Sequence, residues 1–256
     1  MKKPNKIFRT KSSGQLLIVA ALAIAILVAS TTVYVYELAG EKQNTEDHSL
    51  SDFVLALKLG SKNGVISALA NASNGGEKTV LANNLETLSS ASKSFCKHGL
   101  WRLSYMLLNS SGYEDGIRLS WNPSGLGVSS AYAVFSLRFF GLTSNVTANY
   151  AINITTALML YGYYAGNEAE KTVNLTCRVF NDGKPAQVEN IALYYEDFGV
   201  WFPVGESNNL SITDYGNGTY TISFTAAISS DTVRVSAHVH DLRNVFVMAN
   251  ITCPKA

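Results

Sequence analysis

The chain has 256 residues, 20 of them Lys or Arg and 19 Asp or Glu. That length allows one anchor plus one or two modest domains, each able to bury a core. The near balance of charge lacks the basic excess that a nucleic-acid-binding surface needs. Its distribution is more telling. Lys2, Lys3, Lys6, Arg9 and Lys11 all precede Gly14, no acid appears before Glu37, and the remainder holds 15 basic and 19 acidic residues.

Between the basic tail and the acidic bulk, Leu16 to Tyr36 carries no charge. Twenty-one residues rise about 30 Å as a helix, the thickness of a hydrocarbon core. Tyr34 and Tyr36 stand at the outer end, where amphipathic rings favour the headgroup layer. The basic flank before it, against Glu37, Glu41, Glu46 and Asp47 after it, predicts a single-pass span over 15–37, with the N-terminus (1–14) cytoplasmic and the rest extracellular. A cleaved signal peptide is the competing reading, with small residues at Val28-Ala29-Ser30. Both place the later chain outside the cell.

Asn-x-Ser/Thr triplets begin at Asn71, Asn109, Asn145, Asn153, Asn174, Asn209, Asn217 and Asn250, all beyond the apolar segment. A single triplet says little. From Ser144 to Thr156, however, apolar and polar residues alternate, and Asn145 and Asn153 both fall on the polar side. Asn174 and Asn250 also fall on polar faces. Glycosylation at some of these sites is expected, although Asn and Thr also decorate ordinary exposed strands.

A short polar linker occupies 38–48, and an α+β domain is expected over 49–166. Ser51 and Asp52 offer a helix start, with Phe53, Leu57, Val65 and Leu69 at near-helical spacing. Asn71 to Gly76 breaks the helix. Leu81, Leu85, Leu88 and Phe95 mark a second one. The pair is either an antiparallel hairpin, or a continuation of the anchor helix with a kinked partner. From Gly99 the pattern becomes strands, over Leu100–Leu108, Ile117–Trp121, Tyr132–Phe140 and Val146–Tyr164, with turns at Ser110–Gly112 and Asn122–Gly125.

Composition turns polar at Gly166–Glu170, and a second extracellular domain is expected over 167–256. Val173, Leu175, Cys177 and Val179 alternate inward, as do Ile191, Leu193 and Tyr195, then Tyr220, Ile222 and Phe224. Val233 to Val239 and Val245 to Cys253 repeat the pattern. Short alternating strands of this kind predict an immunoglobulin-like β-sandwich. The segment Asp214-Tyr-Gly-Asn-Gly-Thr-Tyr-Thr-Ile-Ser-Phe224 resembles the turn-and-strand signature of bacterial and archaeal surface Ig-like domains. Val179-Phe-Asn-Asp-Gly-Lys-Pro-Ala186 is similar to the hairpin after their second strand. The resemblance covers about the last third of the chain and implies a fold, not one function.

Lys11-Ser-Ser-Gly-Gln15 before an apolar helix resembles an archaeal type IV pilin precursor. That resemblance implies processing after Gly14, making Gln15 the new N-terminus. The chain departs from the pattern at Ser12 and Ser13, where a charge is usual, and at Val19, where many pilins carry glutamate.

Among chemical candidates, Cys177 and Cys253 both point inward, so either a disulfide or two buried thiols is expected. Cys96 is then free or intermolecular. His238 and His240 share one strand face near Asp241, the spacing of a weak metal pair, but Arg234 and Ser236 share that face and the plain reading is two exposed histidines. Cys96-Lys-His98 is weaker still. There is no Gly-x-Ser-x-Gly turn, Cys–His arrangement, paired acid in a cleft, or Gly-rich phosphate loop. Glu114-Asp115 and Glu196-Asp197 lie beside turns. Trp201-Phe202-Pro203 is either an exposed aromatic contact or core filling.

The resulting expectation is an N-terminal transmembrane helix, an α+β region with a helical pair and antiparallel sheet, and an all-β sandwich. The expected function is a non-catalytic cell-surface interaction, adhesion or envelope module. It needs no cofactor, its partners are the bilayer and an extracellular protein or glycan, and it contacts no nucleic acid. A self-assembling pilin-like subunit is the alternative, and a surface enzyme the remote one.

Overall fold

The computed structural model describes residues 51–94, 100–140, 145–167 and 170–256. The expected span Leu16–Tyr36 and the processing site at Gly14 and Gln15 lie outside these residues. Leu57–Ala256 forms one compact unit, and the described residues before it are the first turns of a helix.

That helix, α1 (Ser51–Ser73), is long and apolar enough by length and composition to cross a membrane. Within the fold, Leu57, Ser61, Val65, Leu69 and Ala72 form a buried stripe at spacings of three and four residues. Lys58 and Lys62 stay on the exposed side. The second helix, α2 (Val80–Ser94), runs antiparallel to it. A Cβ on Gly60 would touch Leu88, while one on Gly64 would touch Leu85, so the contacts descend along α2 as they ascend along α1. Asn74 and Gly75 end α1 with backbone bonds back to Ala70 and Ala72, respectively. The two helices therefore pack as an antiparallel hairpin.

Twelve strands follow among the described residues. β1 (Leu100–Leu107), β2 (Ile117–Trp121), β3 (Leu126–Phe140), β4 (Asn145–Asn167), β5 (Glu170–Asn181), β6 (Lys184–Pro185), β9 (Ser211–Asp214) and β10 (Thr219–Ala226) make an eight-stranded antiparallel sheet. Its main path is β1-β3-β4-β5-β10-β9, with β2 on β3 and β6 on β5. The smaller sheet has the order β12-β11-β7-β8, from β7 (Val188–Asp197), β8 (Val200–Pro203), β11 (Val233–Asp241) and β12 (Phe246–Cys253).

β4 joins the two halves. Its residues 145–159 pair with β3, and its residues 156–167 pair with β5. The polar stretch near Gly166 is thus the connection between two hydrogen-bonded neighbours of one sheet. Alternation along β4 turns Ile152, Ile154, Thr156, Leu158 and Leu160 to one buried side. The first part of this side meets the helices, where Ser61 Oγ lies 3.0 Å from Tyr150 Oη. Farther along it meets the small sheet in a core holding Leu158, Leu175, Ile222, Phe224, Val235 and Val247. Each such side chain contributes roughly 1.5–3 kcal/mol by leaving water. The inward positions expected on β5, β10, β11 and β12 are all buried, whereas Ile191 and Tyr195 on β7 are only half-buried.

Candidate functional site

Alternation along β11 places the two histidines together. Val233, Val235, Ala237 and Val239 face the core, leaving His238 and His240 on the other side. They are half-buried rather than exposed, because that side is itself covered. The His238 ring lies 4.7 Å from that of Tyr194 and 5.4 Å from Phe246, and His240 lies 5.2 Å from Phe246. His240 Nε2 meets Asn74 Oδ1 at 2.9 Å, which ties the end of α1 to the sheet. No group of three metal-ligating side chains occurs among the described residues.

Burial, and secondarily the neighbouring His240, holds the His238 imidazole below its ordinary value. The unfolded chain therefore takes up a proton that the folded chain resists. Stability is expected to be fully present above the ordinary imidazole value of about 6.5 and to fall as the pH drops through the lowered folded value. Thermal melts of the full chain across that window check this, and His238→Phe should flatten the slope.

The neighbouring Asp241 serves the structure. Its carboxylate is 0% exposed. It accepts from the backbone N–H of Arg243 at 2.8 Å and Val245 at 2.9 Å, from Thr156 Oγ1 at 2.9 Å, and from Arg243 Nε at 2.9 Å. Arg243 in turn donates to Asp182 Oδ2 at 3.1 Å, to the Thr155 carbonyl at 3.1 Å and to Thr156 Oγ1 at 3.0 Å. One guanidinium thereby clamps β4, the β5–β6 turn and the β11–β12 turn together. In the sequence Asp241 reads only as an acid near the histidine pair, and Arg243 does not stand out. The available signal was an Asp-x-Arg-Asn turn directly after a strand with four inward apolar residues.

Beside this clamp is an open cleft of about 660 Å³, lined by Asn63, Ser67, Asn71, Asn74, Arg243 and Asn244 among others. Asn74 and Arg243 spend their polar atoms on the fold itself: the Asn74 amide donates to the Ala70 and Asn244 carbonyls. The acids beside turns are also engaged. Glu114 pairs with Lys78 at 2.6 Å, whose hydrogen bond holds its carboxyl below the usual range, and Glu196 pairs with Arg234 at 2.7 Å.

Cys177 and Cys253 are buried free thiols. They stand on strands of opposite sheets within one apolar core, and burial pushes each thiol up to about 12. Neutral and enclosed, they pack as small hydrophobes. A reducing agent is expected to leave the melting temperature of the monomeric chain unchanged, and a maleimide should label these two cysteines only after unfolding. Cys96 and His98 lie outside the described residues.

The eight triplets divide by environment. Asn109, Asn145, Asn153, Asn209 and Asn217 are exposed, while Asn174 and Asn250 are half-buried. The Asn250 side-chain oxygen is buried without a hydrogen-bond partner. Asn71 is exposed but sits within α1, and its companion Ser73 is buried, donating to the Ala70 carbonyl and accepting from the Phe246 N–H. Asn145, Asn153 and Asn174 all occupy the outer face of the large sheet, opposite the face covered by the helices and small sheet.

Trp201 and Phe202 are 42% and 41% exposed, so this motif does not fill the core. They sit on β8, the edge of the small sheet, after a turn in which Phe198 and Gly199 both have positive φ. Phe198 is 83% and Val200 54% exposed. Phe202 stacks on Tyr195 at 5.6 Å, which fixes the hairpin's direction. Pro203 removes one N–H from this edge, a common way of discouraging strand addition.

No known family model and no curated protein matches this chain.

Proposed function

We propose that the chain is a single-pass membrane-anchored protein that displays a non-catalytic interaction module outside the cell. The observation that carries this reading is the β7–β8 hairpin, which holds Phe198, Val200, Trp201 and Phe202 in water on a rigid edge. Monomeric soluble surfaces rarely keep such an apolar cluster without a contact to make. The module is read as immunoglobulin-like. Support comes from the strand order β4-β5-β10-β9 over β12-β11-β7-β8, which corresponds to A-B-E-D over G-F-C-C′. In that correspondence Cys177 is on strand B and Cys253 on strand G, which differs from the B–F disulfide of antibody domains. Exposed acceptors such as Asn153 and Asn217 suit a glycosylated extracellular surface.

The order of helical hairpin and then sheet supports a second reading, a pilin-like subunit released from a leader at Gly14. Intact mass and N-terminal sequencing of the protein recovered from membranes separate the two. A start at or near Met1 is the expected result. A start at Gln15 would replace the anchor by the filament reading, and a start near Thr31 would mean a secreted form.

A further inference from the structure

The outer face of the large sheet has an unusual end. Pairing of β1, β3 and β4 sets Leu100, Phe140 and Asn145 on one rung, and Arg102, Arg138 and Thr147 on the next, all pointing outward and all exposed. Leu100 is 68% and Phe140 46% exposed. Arg102 and Arg138 stand directly opposite each other and form no ion pair among the described residues. Like charges in this position destabilise a sheet. β1, β3 and β4 contain no Asp or Glu at all, so nothing on these strands offsets the pair.

The N-terminal part of α1 packs at this same end of the sheet. Lys58 lies over the Tyr150 ring at 5.6 Å and Ser61 meets its hydroxyl, whereas the other end of α1 meets Phe246 and His240. From Leu57 onward α1 therefore runs away from the Tyr150 end of β4, the end that carries the two rungs, so the anchored reading puts the tether on that side. Twenty residues separate Tyr36 from Leu57, a reach of at most about 70 Å when extended. A tether this short keeps a tip near its membrane at roughly millimolar effective concentration, so a weak surface contact suffices.

We infer that the Leu100–Phe140 and Arg102–Arg138 rungs rest on the surface of the membrane that anchors the chain, with the guanidinium pair on anionic headgroups and the apolar pair at their depth. This rests on the anchored reading above. It accounts for two costs kept side by side, an uncompensated cation pair and exposed apolar side chains, on the sheet end nearest Leu57. Each arginine near an anionic surface is worth roughly fivefold in occupancy, and the pair about thirtyfold.

The test uses the full-length protein in vesicles of phosphatidylcholine, alone or with phosphatidylglycerol. A fluorophore is attached through Ser104→Cys in a Cys96→Ser background, and a quencher is carried on the lipid headgroups. Strong quenching is expected only with phosphatidylglycerol. It should weaken at high salt, and the contact equilibrium should drop about thirtyfold in the Arg102→Gln/Arg138→Gln variant, whose melting temperature should be no lower than the parent's because the like-charge pair is gone. Leu100→Ser/Phe140→Ser should also weaken it. Quenching that is equal in both lipids, or indifferent to the arginines, overturns the inference. So does a glycan found on Asn145, which would occupy the same rung. If the protein fails to float with vesicles after a salt wash, the anchored reading falls and takes this one with it; flotation without quenching sinks the tip contact alone.

Discussion

Arg243→Met is expected to lower the unfolding free energy of the full chain by about 3–5 kcal/mol, the usual cost of removing one partner from a buried ion pair. The Arg243 side chain is 18% exposed and its partner Asp241 is 0% exposed. Without the guanidinium, the Asp241 carboxylate keeps Thr156 and two backbone N–H groups but loses its counter-charge in a site that water does not reach. Asp182 and the Thr155 carbonyl each lose one donor and keep the backbone N–H of the other residue. Asp241→Asn should cost less, about 1–3 kcal/mol, because the amide oxygen can still accept from Val245. A hydrophobic double replacement should not restore stability, since the N–H groups of Arg243 and Val245 would then be orphaned. Thermal or urea unfolding of the detergent-solubilised variants measures these differences. Equal stability of Arg243→Met and the parent would mean that the clamp is ornamental.

Gly125→Ala should be comparably damaging, at about 3–5 kcal/mol from backbone strain and overpacking together. Gly125 has φ +79°, and an added Cβ would lie 2.3 Å from the Leu160 carbonyl oxygen and 2.7 Å from Ile251 Cγ2. Its N–H donates to the Asn250 carbonyl at 2.8 Å and its carbonyl accepts from Leu160 N–H at 2.7 Å. The turn before β3 is thus wedged between β4 and β12, where the two sheets meet. The obstacle is backbone on one side, so no rotamer change relieves it. Gly183 also has positive φ but has open space around it, so Gly183→Ala should pay only the conformational part, about 1–3 kcal/mol. Comparing the two separates strain from crowding.

Local pattern carried the elements. The stripe Leu57, Val65, Leu69 announced α1, and Leu81 with Leu85 announced α2, because a helix buries one face of its own turn. Period-two alternation located β5, β10, β11 and β12, and put Asn145 and Asn153 on a solvated face. The short strands β6, β8 and β9 were not legible, since two to four residues with little burial leave no periodic trace. Trp201 left two readings open for a related reason: an aromatic residue on an edge strand has the same composition as one in a core.

What the sequence determined by itself was therefore the set of faces: which residues avoid water along each segment, the turns between them, and the uncharged stretch that stands apart from the rest. Those are properties of neighbours in the chain. Tertiary structure alone decided that β4 would serve both halves of one sheet, that His238 would be covered by Tyr194 and Phe246, and that Asp241 would meet Arg243, Thr156 and, through that arginine, Asp182. It also set Arg102 opposite Arg138. Partners separated by tens of residues leave no periodic mark in a single sequence. Their meeting depends on strand order and register, which are selected by the packing of the whole core.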